Sequence, residues 1–137
     1  MNRSYAWKNE YYSFLLQEED RTNKLLDISI SVDYVISIHV DDISVGIVYV
    51  NPMGESFIVD HKKISIFVEW IELLSPFRGK GLLKEILNGI ASFFCTDRIC
   101  LECSDENLPK YLACGGVDYG ISDVTENHVI VWGKSNK

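Results

Sequence analysis

The spacing of apolar residues changes along the chain, and the change falls on one short segment that contains two glycines. Residues 27–41 alternate apolar and polar side chains, which predicts one strand or two strands bent near Asp33. Apolar residues recur every three or four positions from Leu82 to Phe94, which predicts an amphipathic helix. The segment SPFRGKG at 75–81 therefore lies where the chain changes from strands to a helix.

The remaining pattern predicts a single α+β domain over residues 1–137. Large apolar side chains recur every four residues from Trp7 to Leu15, so residues 5–16 are predicted to form an amphipathic helix capped by Ser4. The other predicted elements are strands at 43–50, 64–74 and 98–103, a short helix within 106–116, and a hairpin of 117–122 with 128–132. Strands followed by strand–helix units indicate a mixed sheet.

Composition narrows the class of partner. The 137-residue chain has a net charge of -7, which argues against a general nucleic-acid binder and favours a basic partner such as an amine, although acidic surfaces also serve solubility alone. No apolar run approaches the roughly 20 residues that cross a bilayer, and the N-terminus lacks a secretory pattern. We therefore expect a cytoplasmic protein that binds neither nucleic acid nor membrane, and the sequence leaves a homodimer open.

Four cysteines could hold a metal only if their side chains met at one point. Cys95, Cys100 and Cys103 have the spacing C-x4-C-x2-C, which also occurs in iron–sulfur loops. Cys100 and Cys103 belong to a predicted strand, however, where their side chains point to opposite faces. We expect these residues and Cys114 to be reduced thiols, and we predict no metal site.

The segment at 75–81 has the features of an anion site. Gly79 and Gly81 let the backbone approach a ligand closely, and the following helix presents free N–H groups at its N-terminus. Arg78, Lys80 and Lys84 add positive charge around the same point in an otherwise acidic chain. A phosphate-bearing ligand is expected here, and a tight turn with solvated basic residues is the alternative.

Two familiar nucleotide-binding patterns fit this segment less well. A Walker A loop requires G-x-x-x-x-G-K-[ST], which is absent from the sequence. The dinucleotide pattern G-x-G-x-x-G is matched by Gly79 and Gly81, but Lys84 stands in place of the third glycine. Glu102 has about the right separation to contact a ribose, so a dinucleotide-binding protein is one alternative.

The run ELLSPFRGKGLLKEIL resembles the acetyl-CoA-binding motif of the GCN5-related N-acetyltransferases (GNAT). The family pattern, Q/R-x-x-G-x-G/A, lies between a central strand and a helix. Arg78, Gly79, Lys80 and Gly81 match it, and Leu83 replaces the final small residue. One residue, where the family usually has two, separates the preceding proline from the arginine.

A second segment, YLACGG, resembles the Tyr-x-x-x-Gly-Phe segment of the same family. Tyr111 and Gly115 match, and Gly116 stands in place of the phenylalanine. Family members often carry an asparagine seven residues before the tyrosine; here Ser104 occupies that position and Asn107 lies nearby. The two motifs occur in the family's order on the predicted elements.

The resemblance implies an α+β fold, a mixed, mostly antiparallel sheet with helices on both faces. It implies direct transfer of an acetyl group from acetyl-CoA to a primary amine, which could belong to a small molecule, a polyamine or a protein. Backbone groups at the end of the strand would bond the pantetheine, and the motif amides would hold the pyrophosphate. The cofactor positions are then Leu73, Leu74, Arg78, Gly79, Lys80, Gly81, Leu82, Leu83 and Asn107.

The resemblance also implies catalytic roles. Tyr111 matches the family tyrosine that serves as acid towards the departing thiolate. An alkyl amine is mostly protonated at neutral pH, so a base must accept its proton. Glu69 and Glu72, on the strand before the motif, are the candidates, and their odd spacing predicts that they point to opposite faces. His39 is a further candidate base.

Departures from the family pattern favour a second hypothesis. Leu83, Gly116 and Ser104 each differ from the residue that the family usually carries. A chain with these departures could keep the fold, and with it the binding of coenzyme A, without catalysis. A catalytically inactive binding or regulatory module is therefore the alternative to an enzyme.

Overall fold

The computed structural model describes residues 4–19, 34–52, 58–59, 62–63, 66–79 and 81–133. Its strands are β1 (Ser4–Lys8), β2 (Ser13–Glu18), β3 (Tyr34–Val40), β4 (Ile43–Pro52), β5 (Ile58–Val59), β6 (Lys62–Lys63), β7 (Ile66–Leu73), β8 (Arg98–Cys103), β9 (Gly116–Ile121) and β10 (His128–Gly133). Its helices are α1 (Leu82–Phe93), α2 (Leu108–Ala113) and a short 3₁₀ helix at Ser75–Phe77. The predicted strand at 27–33 and Lys80 lie outside the described residues. No α-helix in the described ranges is long and apolar enough to cross a membrane.

Eight of the strands form one mixed sheet in the order β1-β2-β3-β4-β7-β8-β10-β9. Every neighbouring pair is antiparallel except β7 and β8, which are parallel. Asp41 and Asp42 both have positive φ and form the two-residue turn between β3 and β4. The predicted α+β class and the mostly antiparallel sheet are confirmed, as are the predicted elements from β4 and β7 to β10, with small differences at their ends.

The α-helices α1 and α2 pack on the same face of the sheet. The connections β7–α1–β8 and β8–α2–β9 both join parallel strands, and both move in the same direction across the sheet. Because such crossover connections are right-handed, both helices lie on the same face. Buried side chains of α1, with Leu108 and Tyr111 of α2, share one core with Leu101 and Ile130. We call this side the helix face. The resemblance implied helices on both faces; among the described residues they lie on this one.

The other side of the sheet, called here the far face, carries two smaller apolar clusters. One contains Val35 and Tyr49, and the other contains Cys100 and Val131. Cys103 belongs instead to the core of the helix face, so the two cysteines of β8 point in opposite directions as predicted. All four cysteines are free thiols, and no group of three metal-ligating side chains is found in the described part of the chain.

The predicted helix at residues 5–16 is wrong, because this segment is the β1–β2 hairpin. The side-chain oxygen of Asn9 accepts hydrogen bonds from the backbone N–H groups of Tyr11 and Tyr12, which turns the chain back on itself. β2 then pairs with β3, so the segment extends the main sheet. A spacing of four residues is a multiple of the strand period as well as close to one helical turn, and aromatic residues favour strands.

A close contact between Trp7 and Gly89 holds the hairpin against α1. The Trp7 indole stacks on Phe14 with ring centroids 4.8 Å apart, and a Cβ built on Gly89 would lie 2.7 and 2.8 Å from the indole atoms Cζ2 and Cζ3. Gly89→Ala should lower the free energy of unfolding by about 1 kcal/mol, because overpacking of about 1–3 kcal/mol exceeds the gain in helix propensity of about 1 kcal/mol. Urea denaturation measures this change, with the half-buried Asn88→Ala as control. Equal stability of the two variants would contradict the contact.

Candidate active site

A cleft of about 1160 Å³ opens where β7 and β8 separate. These parallel strands pair only at Phe67 and Val68 of β7. From Glu69 to Leu73, the edge of β7 that faces β8 therefore has no strand partner in the part of the chain that the structure describes. The cleft walls come from β7, β8, the loop before α1, both helices and the β9–β10 turn. Unpaired N–H and C=O groups of a strand edge can bind an extended ligand that carries amides.

The separation begins at a β-bulge in β7. Val68 pairs with Val50 of β4, and Trp70 pairs with Tyr49, which leaves Glu69 as one extra residue on β7. A bulge bends its strand and increases the local twist. The second half of β7 therefore leaves the direction of β8 while it keeps its pairing with β4.

The bulge also places Glu69 and Glu72 on the same face, so the prediction of opposite faces is wrong. Glu72 pairs with Ile47, which packs in a far-face cluster, and its Oε1 accepts a hydrogen bond of 3.3 Å from the Trp70 indole N–H. Glu69 Oε2 accepts a hydrogen bond of 2.6 Å from the side-chain amide of Asn51, whose position on β4 also faces that side. Both carboxylates thus lie on the far-face wall of the cleft.

The N-terminus of α1 forms another wall of the cleft and is open to a ligand. Gly79 and Gly81 have φ values of 71° and 72°, a region that favours glycine. No atom of the described residues lies within 4 Å of a Cβ built on either glycine. Gly81 is the N-cap and supplies no side-chain hydrogen bond, so the first N–H groups of the helix have no capping partner there. The Leu82 side chain is buried, and Leu83 packs partly against the same core.

Arg78 folds back onto the end of β7. Its Nε donates a hydrogen bond of 2.8 Å to the carbonyl of Leu73, and the N–H of Leu74 donates one of 2.7 Å to the carbonyl of Val45. These two backbone groups, which were expected to be free for a pantetheine chain, therefore have partners within the protein. The edge without a strand partner lies just before them, in the residues that follow the bulge.

Tyr111 lines the middle of the cleft from α2. Its ring packs against the core of the helix face, and its hydroxyl has no hydrogen-bond partner among the residues the structure describes. Burial raises the pKa of Tyr111 to about 12, with a smaller contribution from the thiols of Cys103 and Cys114. The hydroxyl therefore keeps its proton at neutral pH. Asn107 is the N-cap of the same helix and also lines the cleft.

The charged side chains of the cleft separate by sign. The basic ones belong to α1, α2 and the loop before α1, and they are Arg78, Lys84 and Lys110. The acidic ones belong to β7 and β8, and they are Glu69, Glu72 and Glu102. None of these three carboxylates forms an ion pair within the described residues. The cleft is thus electropositive beside the helices and electronegative on the far face.

The alternative of a bound dinucleotide requires Glu102 on the same side of the sheet as α1. Glu102 instead pairs with Val129 in a far-face cluster, and its Oε1 accepts a hydrogen bond of 2.6 Å from the hydroxyl of Thr125. The sheet is also mostly antiparallel, whereas the dinucleotide fold is built on parallel strands. The dinucleotide alternative is therefore wrong. His39 is not among the cleft residues; its Nε2 lies 3.0 Å from the Ser37 hydroxyl on β3.

Outside the cleft, His128 of β10 lies between two carboxylates from different segments. Its Nδ1 is 2.9 Å from Oδ2 of Asp118 on β9, and its Nε2 contacts Oδ1 of Asp105 in the loop before α2. A neutral imidazole has one N–H and can donate to only one of them, whereas the imidazolium form can donate to both carboxylates. The hydrogen bond to Asp105 is the main cause of the raised pKa of His128; Asp118 adds to it and burial opposes it.

The free energy of unfolding should therefore fall as the pH rises above about 6.5, the pKa of an unperturbed histidine. A folded-state pKa raised above the unfolded value stabilises the fold below the unfolded pKa, and this stabilisation is lost as the pH passes the folded pKa. Urea denaturation between about pH 5 and 8, below the range in which unfolded thiols titrate, measures the slope, which His128→Asn should reduce. A wild-type slope in His128→Asn would contradict the pairing.

Comparison with solved structures shows which fold this is. An uncharacterised protein (bh2621) from Bacillus halodurans aligns with a TM-score of 0.67 and 10% identity over 95% of this chain and 90% of that one. AAC(6')-Ib in complex with ribostamycin and coenzyme A aligns with a TM-score of 0.55 and 14% identity over 73% of this chain. A GNAT family acetyltransferase from Listeria monocytogenes aligns with a TM-score of 0.52 and 16% identity over 72% of this chain.

The likeness lies in the fold rather than in the sequence. The chain spans 63% of the length of each of the last two proteins. No family model and no curated protein matches the sequence. Acetyltransferases are among the solved structures that this chain resembles, at TM-scores of 0.55 and 0.52. The chain has the fold of the GCN5-related N-acetyltransferases.

Proposed function

We propose that this chain transfers an acetyl group from acetyl-CoA directly to a primary amine. The observation that carries the proposal is that one cleft is lined by the open N-terminus of α1, the β7 edge that no described strand pairs with, Tyr111, and carboxylates that form no ion pair with a described residue. Acetyl-CoA carries phosphates, an amide-containing arm and a thioester, and each would meet a group of suitable chemistry. The structural neighbours AAC(6')-Ib and the PaiA N-acetyltransferase of Thermoplasma acidophilum were solved with coenzyme A.

The cofactor would bind through backbone groups first. The N–H groups of the first turn of α1 would hold the pyrophosphate, since Gly79 and Gly81 leave the space above them open. Arg78 and Lys84 would add charge, and Lys80 belongs to the same motif. The pantetheine would lie along the edge of β7 after the bulge, and Asn107 lines the cleft opposite.

The acceptor amine would approach from the far face, where the carboxylates lie. A protonated amine is not a nucleophile, so a base has to accept its proton before the carbonyl is attacked. Glu69 and Glu72 both face this side, and each has one oxygen bonded to an uncharged donor and the other without a partner in the described part of the chain. Either can take the proton, directly or through one water molecule.

Tyr111 would assist the departure of the coenzyme A thiolate by donating a hydrogen bond. Its pKa of about 12 exceeds that of a free thiol, about 8.5, so full transfer of the phenolic proton to sulfur is unfavourable. A hydrogen bond to a developing charge requires no such transfer and strengthens as the charge appears.

The four free cysteines suit a reducing compartment, and we place the reaction in the cytoplasm.

Acetyl-CoA should raise the melting temperature by roughly 10 °C at a hundred times its Kd, because a ligand that binds only the folded state stabilises it. NAD at the same concentration should give a much smaller shift. Differential scanning fluorimetry tests binding, and release of the coenzyme A thiol in the presence of a panel of amines tests transfer. The absence of any shift with acetyl-CoA would overturn the proposal, and binding without turnover on any amine would favour the inactive module.

A further inference from the structure

Glu102 is placed differently from the other two carboxylates of the cleft. Glu69 and Glu72 belong to β7, whereas Glu102 belongs to β8 and therefore stands on the opposite side of the gap between these strands. Glu69 and Glu72 are exposed, and Glu102 is half-buried. Its Oε1 accepts a hydrogen bond from the hydroxyl of Thr125. Thr125 lies in the turn between β9 and β10. Oε2 has no partner among the residues that the structure describes.

Thr125 itself is fixed within its turn. The backbone N–H of Thr125 donates a hydrogen bond of 3.3 Å to the hydroxyl of Ser122, and the N–H of Asn127 donates one of 3.3 Å to the Thr125 hydroxyl oxygen. This leaves the Thr125 O–H proton to the carboxylate of Glu102. A carboxylate oriented by a neutral donor has a defined direction, which is a property of a group that binds a ligand.

In acetyl transfer, the positive charge of the amine that reacts is lost, whereas a positive charge elsewhere on the acceptor is retained. The amine that reacts gives up its proton and becomes a neutral amide, so it cannot keep an ion pair through the reaction. One base suffices for that proton, and Glu69 and Glu72 already stand on the β7 side. Glu102 is a third carboxylate, on the other wall, and no described residue supplies it with a cation, so it matches a positive charge that the acceptor retains.

We propose that Glu102 binds a second cationic group of the acceptor, with Thr125 as its positioning residue, so that the substrate is an amine with at least two positive charges. This inference rests on the proposed function, since it concerns the acceptor end of the same cleft. It assigns Glu102 to specificity rather than to proton transfer. Loss of its charge should therefore weaken acceptor binding and leave the chemical step intact.

The test compares 1,4-diaminobutane with 1-aminobutane, which has the same chain length and one charge. In the wild type, kcat/KM should be at least about 10-fold higher for the diamine, because a charge-assisted hydrogen bond is worth about 10- to 100-fold. Glu102→Gln should raise the KM of the diamine by about that factor, with kcat, the KM of the monoamine and the Kd of acetyl-CoA unchanged. Thr125→Val should raise the KM of the diamine by roughly 3- to 10-fold.

Glu126→Gln is the matched control, since it removes one negative charge next to Thr125 from a side chain outside the cleft. It should leave the kinetics of both amines at wild-type values. Equal kcat/KM for the two amines in the wild type, or an equal loss for both in Glu102→Gln, would overturn the inference. A fall in kcat alone would assign Glu102 to the chemical step and overturn it as well.

Calorimetric titration of 1,4-diaminobutane into the protein saturated with coenzyme A separates this inference from the proposed function. Diamine binding that Glu102→Gln weakens, in a protein that transfers no acetyl group, supports the cation site and counts against the enzyme. Turnover of monoamines without diamine binding supports the enzyme and overturns the cation site. Diamine binding that is the same in wild type and Glu102→Gln also overturns it.

Discussion

Tyr111→Phe is expected to lower turnover about 10²-fold, the lower end of the range for losing one hydrogen-bond donor to a developing charge. The change removes one hydroxyl and keeps the ring, which packs against Leu108 and the core of the helix face. The affinity for acetyl-CoA should stay unchanged, because the hydrogen bond to sulfur forms as the thiolate departs. Steady-state rates with an acceptor amine and calorimetric titration of acetyl-CoA measure the two quantities separately.

The pH dependence adds a second readout for the same variant. Because burial raises the pKa of Tyr111 to about 12, its ionisation does not limit the rate near neutral pH. The pH–rate profile of Tyr111→Phe should therefore be lower than that of the wild type by a constant factor between about pH 6 and 9. Tyr119→Phe, at an exposed tyrosine of β9, is the control. If Tyr111→Phe keeps wild-type turnover, Tyr111 is a packing residue only. If this variant loses affinity for acetyl-CoA, Tyr111 shapes the cofactor site.

The C-terminal half of the fold could be predicted because its signals are local. The apolar spacing from Leu82 to Phe94 is that of a helix and of no strand, and glycines directly precede it. The N-terminal hairpin could not be read in the same way, since its spacing of four fits both periods. Pairing of β2 with β3 decides between them, and that pairing joins residues far apart in the sequence. Asn9 was the available local signal, as a residue that favours turns.

The carboxylates show where strand alternation stops being a guide. Regular alternation of side chains along a strand predicted that Glu69 and Glu72 point to opposite faces. The β-bulge at Glu69 adds one residue to β7, so both point to the same face. The bulge is a property of the register between β4 and β7, which no short window of sequence contains. For the same reason, Trp70 was not identified from the sequence as a cleft residue. Its side chain is 49% exposed, and its indole N–H donates a hydrogen bond to Glu72.

The orientation of Glu102 depends on a hydrogen bond between residues that are far apart in the sequence. Its partner Thr125 lies in the β9–β10 turn, and β10 inserts between β8 and β9 in the sheet. The sequence separation of 23 residues carries no periodic signal that would join them. The cofactor end was predictable by contrast, because Gly79 and Gly81 act through their own backbone conformation, and both have the positive φ that their residue type allows.

Gly81→Val is expected to weaken acetyl-CoA binding by about 1–3 kcal/mol, or roughly 5- to 150-fold. A Cβ at this position meets no atom of a described residue within 4 Å, so the added side chain would occupy the space beside the N-terminus of α1 where the pyrophosphate is proposed to bind. The φ of 72° also disfavours a β-branched residue, which will lower the stability of the fold by about 1–2 kcal/mol. The two effects need separate measurements.

Gly120→Val separates them, because Gly120 also has a positive φ, of 107°, and open space around its Cβ, but lies on β9 outside the cleft. Both variants should lose stability in urea denaturation, and only Gly81→Val should lose affinity in calorimetric titration of acetyl-CoA. Equal affinity in the two variants would remove the phosphate site from α1, since a group in direct van der Waals range of the ligand cannot be enlarged without effect. An equal loss in both would show that backbone strain, and not the cleft, governs binding.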